Sequence, residues 1–252
     1  MKAAEEILLH DHLKRLRMPT IRKVYGECAR QAEESGARYE TYLLQLTSQE
    51  TEQREHNQIQ SRLKEAHFPQ LKTLEATDFS KWPDIDAREI RSYAEGDWLK
   101  KKENLVFIGK HGTGKTHAAI AFGVEACRLG YRVRFTTASE LVNTLTEARD
   151  ERRLSNQLKR FRSYGLLIID ELGYLPMTRE GAQLFFQVLA DRYEKASTLL
   201  TSNLTFGQWN QVFEDANLTA ALLDRLTHHC HVHQFTWESI RFHESMKKRA
   251  AR

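Results

Sequence analysis

The sequence predicts an α/β fold in which helices cover both faces of a parallel sheet, joined to a small, all-helical N-terminal domain. Two observations predict the sheet: from residue 104 onward short apolar runs alternate with helical segments, and a glycine-rich loop joins the first run to the first helix. Strands that alternate with helices form parallel sheets covered on both sides. The third observation concerns residues 1–76, where Leu, Ala, Glu, Gln, Lys and Arg dominate and glycine is sparse, as is typical of helices.

Composition divides the 252 residues into three segments. Residues 1–76 form the predicted helical domain, and residues 104–252 form the predicted α/β domain. Residues 77–103 contain "DFSKWPDID" and then a basic "KKK" run, so we interpret them as a linker that docks through its aromatic side chains. A chain of this length suits one domain of ordinary size with a small addition.

Helix signals in the N-terminal segment predict where its helices begin and end. Pro19 can begin one helix, and Gly36 can end it. Thr47 and Glu50 have the spacing of a capping box, so a long polar helix is predicted to begin at Thr47 and to stop before Pro69. Because that helix has few apolar positions, we expect it to rest on another surface, such as a partner subunit or a phosphate backbone.

The C-terminal segment contains five predicted strands separated by helical stretches. The strands are "NLVFI", "YRVRFTT", "YGLLIIDEL", "STLLTSN" and "CHVHQF". The stretch "ASELVNTLTEARDERRLSNQLKRFRS", between the second and third strands, is predicted to be helical, and a basic helix ends the chain. Phe185 and Phe186, in a predicted amphipathic helix, are expected to be core residues.

Composition excludes several classes of protein. Apolar residues make up 40% of the chain and charged residues 29%, which is typical of a globular protein. No apolar run approaches the roughly 20 residues of a membrane span, and the acidic N-terminus is unlike a secretory signal, so no membrane is expected as a partner. Three widely spaced cysteines, Cys28, Cys127 and Cys230, indicate neither a disulfide framework nor a paired metal site, and a reducing cytoplasm is the expected location.

The stretch "NLVFIGKHGTGKTHAAIAF" contains G-x-x-x-x-G-K-T between an apolar strand and a helix, which is the context that a phosphate-binding loop requires. Backbone N–H groups and the positive end of a helix dipole would bind the phosphates of ATP. Lys115 would contact the β- and γ-phosphates, and the Thr116 hydroxyl would ligate Mg²⁺. The predicted nucleotide-binding residues are Gly109, Lys110, His111, Gly112, Thr113, Gly114, Lys115, Thr116 and His117.

Two acidic residues follow the third predicted strand. In a parallel sheet the carboxyl ends of neighbouring strands meet, so Asp170 and Glu171 are expected beside the glycine-rich loop. Asp170 would hold Mg²⁺ together with Thr116. Glu171 would act as the general base that polarises the water attacking the γ-phosphate.

Two further polar residues are candidates for hydrolysis. Asn203 ends the fourth predicted strand and could orient the attacking water, although such a residue can also simply cap a strand. Arg225 lies in the helical stretch "LLDRLTHH". It could stabilise transition-state charge in a neighbouring subunit or form an ordinary surface ion pair, and the residues alone leave both readings open.

The motifs "GKHGTGKT", "LLIIDE", "TSN" and "LLDRL", in this order, resemble those of AAA+ P-loop ATPases of the DnaA-like initiator and DnaC-like helicase-loader clade. The match is closer still to IstB-type transposition helper ATPases, which carry "GKTH", "IIDELGYLP" and a late serine-arginine pair. The resemblance implies that Arg225 is an arginine finger acting in trans and that Arg241 is a second sensor for phosphate. Only seventeen residues follow Phe235, so a full C-terminal helical lid is not expected.

The resemblance also implies a function and partners. Subunits would assemble side by side as a homo-oligomer with ATP at their interfaces, bind duplex DNA with little sequence preference, and recruit and stimulate a transposase. One alternative is a replicative helicase loader that binds its helicase through residues 1–76. A second alternative is a DNA-binding scaffold that binds nucleotide without useful turnover.

A basic segment between the second and third predicted strands is the candidate DNA-binding surface. This clade inserts an extra helix at that position, and at helical spacing several of the arginines would share one face. Phosphate contacts of this kind bind DNA without reading its sequence and weaken with salt. The basic C-terminal "KKRAAR" is a second candidate. The predicted contacts of the first are Arg149, Arg152, Arg153, Lys159, Arg160 and Arg162.

Four histidines near the last strand, His228, His229, His231 and His233, suggest a metal site. Their neighbours supply neither a carboxylate nor a cysteine pair at a recognisable ligand spacing. The sequence therefore does not predict zinc there.

Overall fold

The structure is a computed structural model that describes residues 3–79, 86–237 and 239. The chain divides into two compact units, Met1–Ser61 and Arg62–Arg252. The domain boundary predicted at residue 76, between an N-terminal domain and a linker, stays a prediction.

The first unit contains helices α1 (Ala3–Arg15) and α2 (Pro19–Glu34) and most of α3 (Tyr39–Ala66). Pro19 is the first residue of α2, and Gly36, with φ of +62°, follows its C-cap, as predicted. The core of this unit consists of Leu13, Ile21, Cys28 and Leu46.

Glu50 has a different role from the predicted one. Helix α3 runs without interruption from Tyr39, so no helix begins at Thr47. The buried carboxylate of Glu50 instead accepts hydrogen bonds from the backbone N–H groups of Thr20 (2.8 Å) and Ile21 (3.1 Å), at the start of α2. Arg54 Nε also donates to it (2.9 Å). Burial alone would raise the pKa of Glu50, but these hydrogen bonds outweigh burial and hold the pKa below its usual value.

The second unit contains the predicted sheet and its helices. Its strands are β1 (Asn104–Gly109), β2 (Val133–Thr137), β3 (Leu166–Leu172), β4 (Ser197–Ser202) and β5 (Cys230–Phe235). Its remaining described helices are α4 (Ala87–Glu95), α5 (Asp97–Lys101), α6 (Lys115–Arg128), α7 (Ala138–Asp150), α8 (Leu154–Ser163), α9 (Arg179–Arg192), α10 (Asn210–Phe213) and α11 (Ala216–Thr227).

The five strands form one sheet in the order β2-β3-β4-β1-β5, and every neighbouring pair is parallel. This confirms the predicted fold class. Strand β4 lies between β1 and β3, so the ends of the strands that carry the glycine-rich loop, the acidic pair and Asn203 are adjacent.

Alternating side chains of the strands build two cores, one on each face of the sheet. Val106 and Ile108 of β1 pack into a cluster with α7 to α11, which includes Phe185, as predicted. Leu105 and Phe107 pack into the other cluster, with α4, α5 and α6. Burial on both faces explains why β1 and β3 are nearly continuous apolar runs, whereas the edge strand β5 alternates with histidines and is mostly exposed or half-buried.

Residues 62–79 belong to the second unit. The ring of Phe68 packs against Phe135 of β2, with centroids 6.3 Å apart. It also lies close to α6, since a Cβ built on Gly123 would be 2.8 Å from a ring carbon of Phe68. The end of α3 and the chain after it therefore pack on the face of the sheet that α6 covers.

A buried arginine joins α9 to neighbouring loops. The guanidinium of Arg192 donates to the carbonyl oxygens of Phe161 (2.7 Å), Tyr164 (2.8 Å) and Ser197 (2.5 Å). Its Nε donates to the Thr198 hydroxyl (3.3 Å). These acceptors lie at the end of α8 and at the start of β4, so one side chain satisfies the polar groups where both elements meet α9.

Within the described part of the chain, the helices are all too short or too polar to cross a lipid bilayer.

Candidate functional site

The glycine-rich loop joins β1 to α6 at the carboxyl edge of the sheet. Gly112 has φ of +78° and Gly114 has φ of +100°, a backbone conformation that favours glycine. Gly112 also faces Ser239 closely, because a Cβ built on it would lie 2.1 Å from the Ser239 hydroxyl oxygen. Helix α6 begins at Lys115, so its N-terminal end, where peptide N–H groups favour anions, opens onto the loop.

Side chains of the loop fold back onto its own backbone. The Lys115 ammonium is buried and donates to the carbonyl oxygens of Gly109 and Lys110, each at 2.7 Å. The Thr113 hydroxyl donates to the Lys110 carbonyl at 2.9 Å. These bonds fix the curvature of the loop and keep the lysine charge at its mouth.

A β-bulge at the end of β3 positions the acidic pair. The pairing of β3 with β4 passes from Ile169 opposite Leu200 to Leu172 opposite Ser202, so Asp170 and Glu171 together face the single residue Thr201. Glu171 has φ of +61° at this point. A bulge changes the direction of the side chains that follow it. Here Asp170 is buried at the foot of α6, while the exposed Glu171 lines the adjacent cavity.

The Asp170 carboxylate accepts two hydroxyl groups. Thr116 Oγ1 lies 3.0 Å from both carboxylate oxygens, and Thr201 Oγ1 donates to Oδ1. The Thr201 hydroxyl also accepts a hydrogen bond from the Glu171 N–H at 3.1 Å. Thr201 therefore links the two acidic residues, a role that the "TSN" motif alone does not indicate.

The hydroxyl of Thr116 and the carboxylate of Asp170 fit Mg²⁺. Both offer oxygen atoms, which this small, hard cation prefers, and they lie side by side at the foot of the loop. These are the two residues predicted from the sequence to hold the metal.

Asn203 lies just beyond β4, half-buried, and its amide Nδ2 is 3.3 Å from Nε2 of His111 in the loop. The His111 ring is 6.2 Å from the ring of Tyr174. All three side chains line the same cavity. The structure thus brings Asn203 to the loop and to the Glu171 side of the site.

A cavity of about 760 Å³ opens between the loop and residues 69–78. This is within the size range of small-molecule sites. Its lining includes Pro69, Gln70, Lys72, Ala76, Thr77, Asp78, His111, Gly112, Gly114, Lys115, Thr116, His117, Ile120, Glu171, Tyr174, Thr201 and Asn203. The segment 69–78 was predicted to lie in the N-terminal domain or the linker, and no sequence signal marked it as part of the site.

His117 of α6 connects this segment to the loop. Its Nε2 lies 3.0 Å from the Thr77 hydroxyl, which itself donates to the Thr73 carbonyl at 2.7 Å. Because a hydroxyl has one proton to donate, Nε2 is the donor to Thr77. His117, predicted from "GKTH" as a nucleotide-binding residue, therefore anchors the wall of the cavity.

The chain after β5 also reaches the loop. Trp237 Nε1 donates to the Thr113 carbonyl at 3.0 Å, and its ring packs on Phe235, with centroids 4.8 Å apart. Ser239 lies against Gly112. Sequence reasoning missed Trp237. Arg241, predicted to be a second sensor, lies outside the described residues, as does the basic "KKRAAR".

Arg225 lies on α11, away from this cavity. Its guanidinium donates to the Ala221 carbonyl at 3.0 Å and sits over the Phe186 ring, 4.9 Å from the centroid. It is not among the described residues that line the cavity. The role of Arg225 in hydrolysis stays a prediction.

The basic segment is not the single helix that the sequence predicted. Helix α7 ends at Asp150 and α8 begins at Leu154, and Arg152, between them, has φ of +58°. The acceptor of the Arg153 N–H is the Ala148 carbonyl, which closes α7. The shared face predicted for its arginines is therefore wrong.

All six predicted DNA contacts are nevertheless exposed, and they lie on the end of α7, the turn and α8. Three of them already have partners: Arg149 with Asp150, Arg153 with Glu151, and Arg160 with the Tyr164 hydroxyl. The others are Arg152, Lys159 and Arg162.

The strand order, the glycine-rich loop after β1, the acidic pair after β3 and the polar residue after β4 define the class of protein: a P-loop NTPase with the AAA+ fold. The chain belongs to the family of IstB-like ATP-binding proteins, whose model matches residues 11–248.

Relatives from insertion sequences align along almost the whole chain. An ATP-binding protein of insertion sequence IS21 from Pseudomonas aeruginosa is 42% identical over 235 residues, covering 93% of this chain and 89% of the relative. One of insertion sequence IS5376 from Geobacillus stearothermophilus is 38% identical and covers 94% of both chains.

Two solved structures share the fold. DnaA from Aquifex aeolicus, solved with AMPPCP, has a TM-score of 0.56 and 21% identity, covering 72% of this chain and 56% of its own. This chain thus spans little more than half of that DnaA chain. A DnaI structure has a TM-score of 0.55 and 19% identity, covering 69% of this chain and 93% of its own.

Proposed function

We propose that this chain is an ATPase that assembles on target DNA and serves a transposase. The main structural support for ATP hydrolysis is the hydroxyl network at Asp170. The Asp170 carboxylate accepts from Thr116 of the loop and from Thr201 at the end of β4, and the Thr201 hydroxyl accepts from the backbone N–H of Glu171. The transposition context is supported by the relatives, whose names attach them to insertion sequences.

In this proposal the loop and Lys115 bind the triphosphate of ATP, and Thr116 and Asp170 hold Mg²⁺. The metal ion would neutralise charge on the phosphate oxygens. Glu171 takes the proton of the attacking water, and Asn203 orients that water from the end of β4. These roles match the positions of both side chains on the wall of the cavity.

Arg225 completes the site of the neighbouring subunit; its absence from the lining of its own cavity supports this part of the proposal. An arginine supplied in this way contributes about 10³ to 10⁵ in rate. ATP held between subunits then joins them into an oligomer, and hydrolysis loosens it. Arg241 acts as a second sensor in this proposal on the resemblance alone.

Hydrolysis is tested by multiple-turnover phosphate release from the purified chain, with and without duplex DNA. Replacing the general base, Glu171→Gln, should lower kcat by about 100-fold or more and leave ATP binding intact. Glu147→Gln, which changes an exposed glutamate of α7, is the matched control. Turnover by Glu171→Gln near that of the control would remove Glu171 from the mechanism.

DNA binding is tested through its salt dependence. Each phosphate contact contributes a slope of about −0.9 to log K against log salt. Replacing Arg152, Lys159 and Arg162 with Ala should therefore flatten the slope by about 3. A charge-matched control replaces Arg88, Arg91 and Lys101, which are exposed on α4 and α5. Equal slopes for the two triple variants would exclude the segment after α7 as the DNA contact.

The partner is tested by capture on immobilised chain in the presence of ATP and duplex DNA. We expect a transposase to be retained, and a replicative helicase not to be. If only the helicase is retained, the proposed role in transposition is wrong and helicase loading is the better account of the function.

A further inference from the structure

A carboxylate and two imidazoles converge near Arg225, outside the nucleotide site. The side chains of Glu194, His228 and His229 are exposed, and their potential ligand atoms all lie within 4.8 Å of one another. Glu194 comes from the turn after α9, and the histidines follow α11, so the imidazoles lie 34 and 35 positions after the carboxylate in sequence. This distance in sequence is why ligand spacing did not predict a metal there.

The backbone on the histidine side is fixed by Asn104, at the start of β1. The Asn104 N–H donates to the His229 carbonyl at 2.7 Å, and its side-chain Nδ2 donates to the Leu226 carbonyl at 3.1 Å. Its Oδ1 accepts the N–H of Thr198 at 2.9 Å. The Asn104 side chain therefore holds the end of α11 beside the start of β4, the strand that follows the Glu194 turn.

The turn on the carboxylate side holds a strained residue. Glu194 has φ of +56°, a left-handed conformation that is unfavourable for a residue with a side chain. The backbone at Lys195 and Ala196 closes onto the Arg192 carbonyl (2.9 and 3.1 Å), so the buried Arg192 anchors the turn.

Tyr193 holds the carboxylate and one imidazole together. Its hydroxyl lies 3.0 Å from Nδ1 of His228 and is also hydrogen-bonded to the Glu194 carboxylate. Partial burial and then the charge of Glu194 raise the pKa of Tyr193. Since the carboxylate can only accept, the phenol donates to Glu194 and accepts from His228.

Two imidazoles and a carboxylate are the ligand set of an open zinc site, in which solvent or another group takes the fourth position. A tetrahedral ion with bonds of about 2.0–2.1 Å needs ligand atoms about 3.4 Å apart. The ligand atoms already lie within 4.8 Å of one another, and all three side chains are exposed, so closing to that separation needs a shift of about 1.4 Å or less between any two of them. We propose that Glu194, His228 and His229 form a binding site for Zn²⁺ or a similar divalent transition-metal cation.

Such an ion would tie the end of α9 to the end of α11. Arg225 lies in the last turn of α11, three residues before His228. The ion would thus restrict the helix that carries the proposed arginine finger. Only this consequence for hydrolysis rests on the proposed function; the binding site does not.

The test is a Zn²⁺ titration of metal-free full-length chain against a chromophoric chelator, without nucleotide or DNA. Excess Mg²⁺ is present, so that the oxygen ligands at Thr116 and Asp170 do not account for binding. We expect one equivalent to bind, and we expect Glu194→Gln, His228→Ala and His229→Ala each to weaken it by about 10-fold or more. His56→Ala, at an exposed histidine of α3, and Cys230→Ser are the matched controls and should bind like the unmodified chain.

A thermal scan gives a second readout that checks folding in each variant. Zn²⁺ should raise the Tm of the unmodified chain and of both controls, since a ligand of the folded state stabilises it, and should leave the Tm of the three ligand variants unchanged. The proposal is overturned if no equivalent binds, if the ligand variants bind as tightly as the controls, or if Cys230→Ser abolishes binding. None of these results depends on ATP hydrolysis.

Discussion

Replacing Thr201 with valine isolates the hydroxyl that links the two acidic residues. Valine has nearly the same shape as threonine, and Thr201 is 1% exposed, so the packing at the end of β4 should be preserved. The change removes the donor to the Asp170 carboxylate and the acceptor of the Glu171 N–H.

The expected magnitude follows from these two contacts. A hydrogen bond to a charged group contributes about 1.5–3 kcal/mol, and the part-buried Glu171 N–H left without an acceptor costs about 1 kcal/mol, the low end for an unpaired N–H. The two terms share one hydroxyl and do not add fully, so the free energy of unfolding should fall by about 2–4 kcal/mol. In a unit of this size that corresponds to a Tm lower by roughly 4–16 °C.

The assay is a thermal scan of the full chain, followed by circular dichroism, with Thr201→Ser as the matched control. Serine keeps the hydroxyl and loses only a methyl group, so its Tm should lie well above that of Thr201→Val. In phosphate release, Thr201→Val should also lower kcat more than Thr201→Ser does, since only valine frees the bulge that holds Glu171. Equal Tm values for the two variants would refute the reasoning, because the hydroxyl would then contribute nothing.

Three other predictions test separate parts of the molecule. Lys115→Ala and Arg225→Ala should each lack turnover, and mixing the two variants should restore part of it. Lys115→Ala still supplies Arg225, and Arg225→Ala still supplies an intact nucleotide site. If the mixture releases no phosphate, action of Arg225 in trans is contradicted. Glu50→Gln should lower the Tm at pH 7. Because the folded pKa of Glu50 is lowered, its contribution is present above the unfolded pKa and lost as pH falls through the folded pKa, so the Tm difference from the unmodified chain should shrink in acid. Arg192→Lys should cost about 3 kcal/mol or more in urea unfolding, since one ammonium cannot satisfy four acceptors; a change below about 1 kcal/mol would contradict this.

Signals that are local in sequence predicted much of the fold. The central strands β1 and β3 are short apolar runs, β2 shows alternating apolar residues, and the loop residues from Gly109 to Thr116 have a spacing that is typical of one backbone shape. The positions of Asp170 and Asn203 followed because parallel strands bring their carboxyl ends to one edge. These inferences needed only the order of the strands and their common direction.

Contacts between distant residues could not be predicted in the same way. The capping-box spacing of Thr47 and Glu50 is a genuine local signal, but Glu50 satisfies the start of α2, 30 positions away. The run "ARDERRLSNQ" has helical composition throughout, yet the chain turns at Arg152, because Leu154 and Leu158 must reach the core that α7 and α9 share. Propensity did not decide either case, since tertiary contacts contribute more free energy than local preferences do.

The β-bulge in β3 shows why the positions of Asp170 and Glu171 depend on Thr201 of the neighbouring strand. In a regular strand, Asp170 and Glu171 would point to opposite faces of the sheet. One extra residue at this position, with Glu171 at positive φ, lets Asp170 meet Thr116 while Glu171 lines the cavity. That conformation costs free energy, and the Glu171 N–H bond to Thr201 offsets part of the cost. The threonine of "TSN" is therefore as much a part of the acidic motif as its two carboxylates, although it lies on the neighbouring strand.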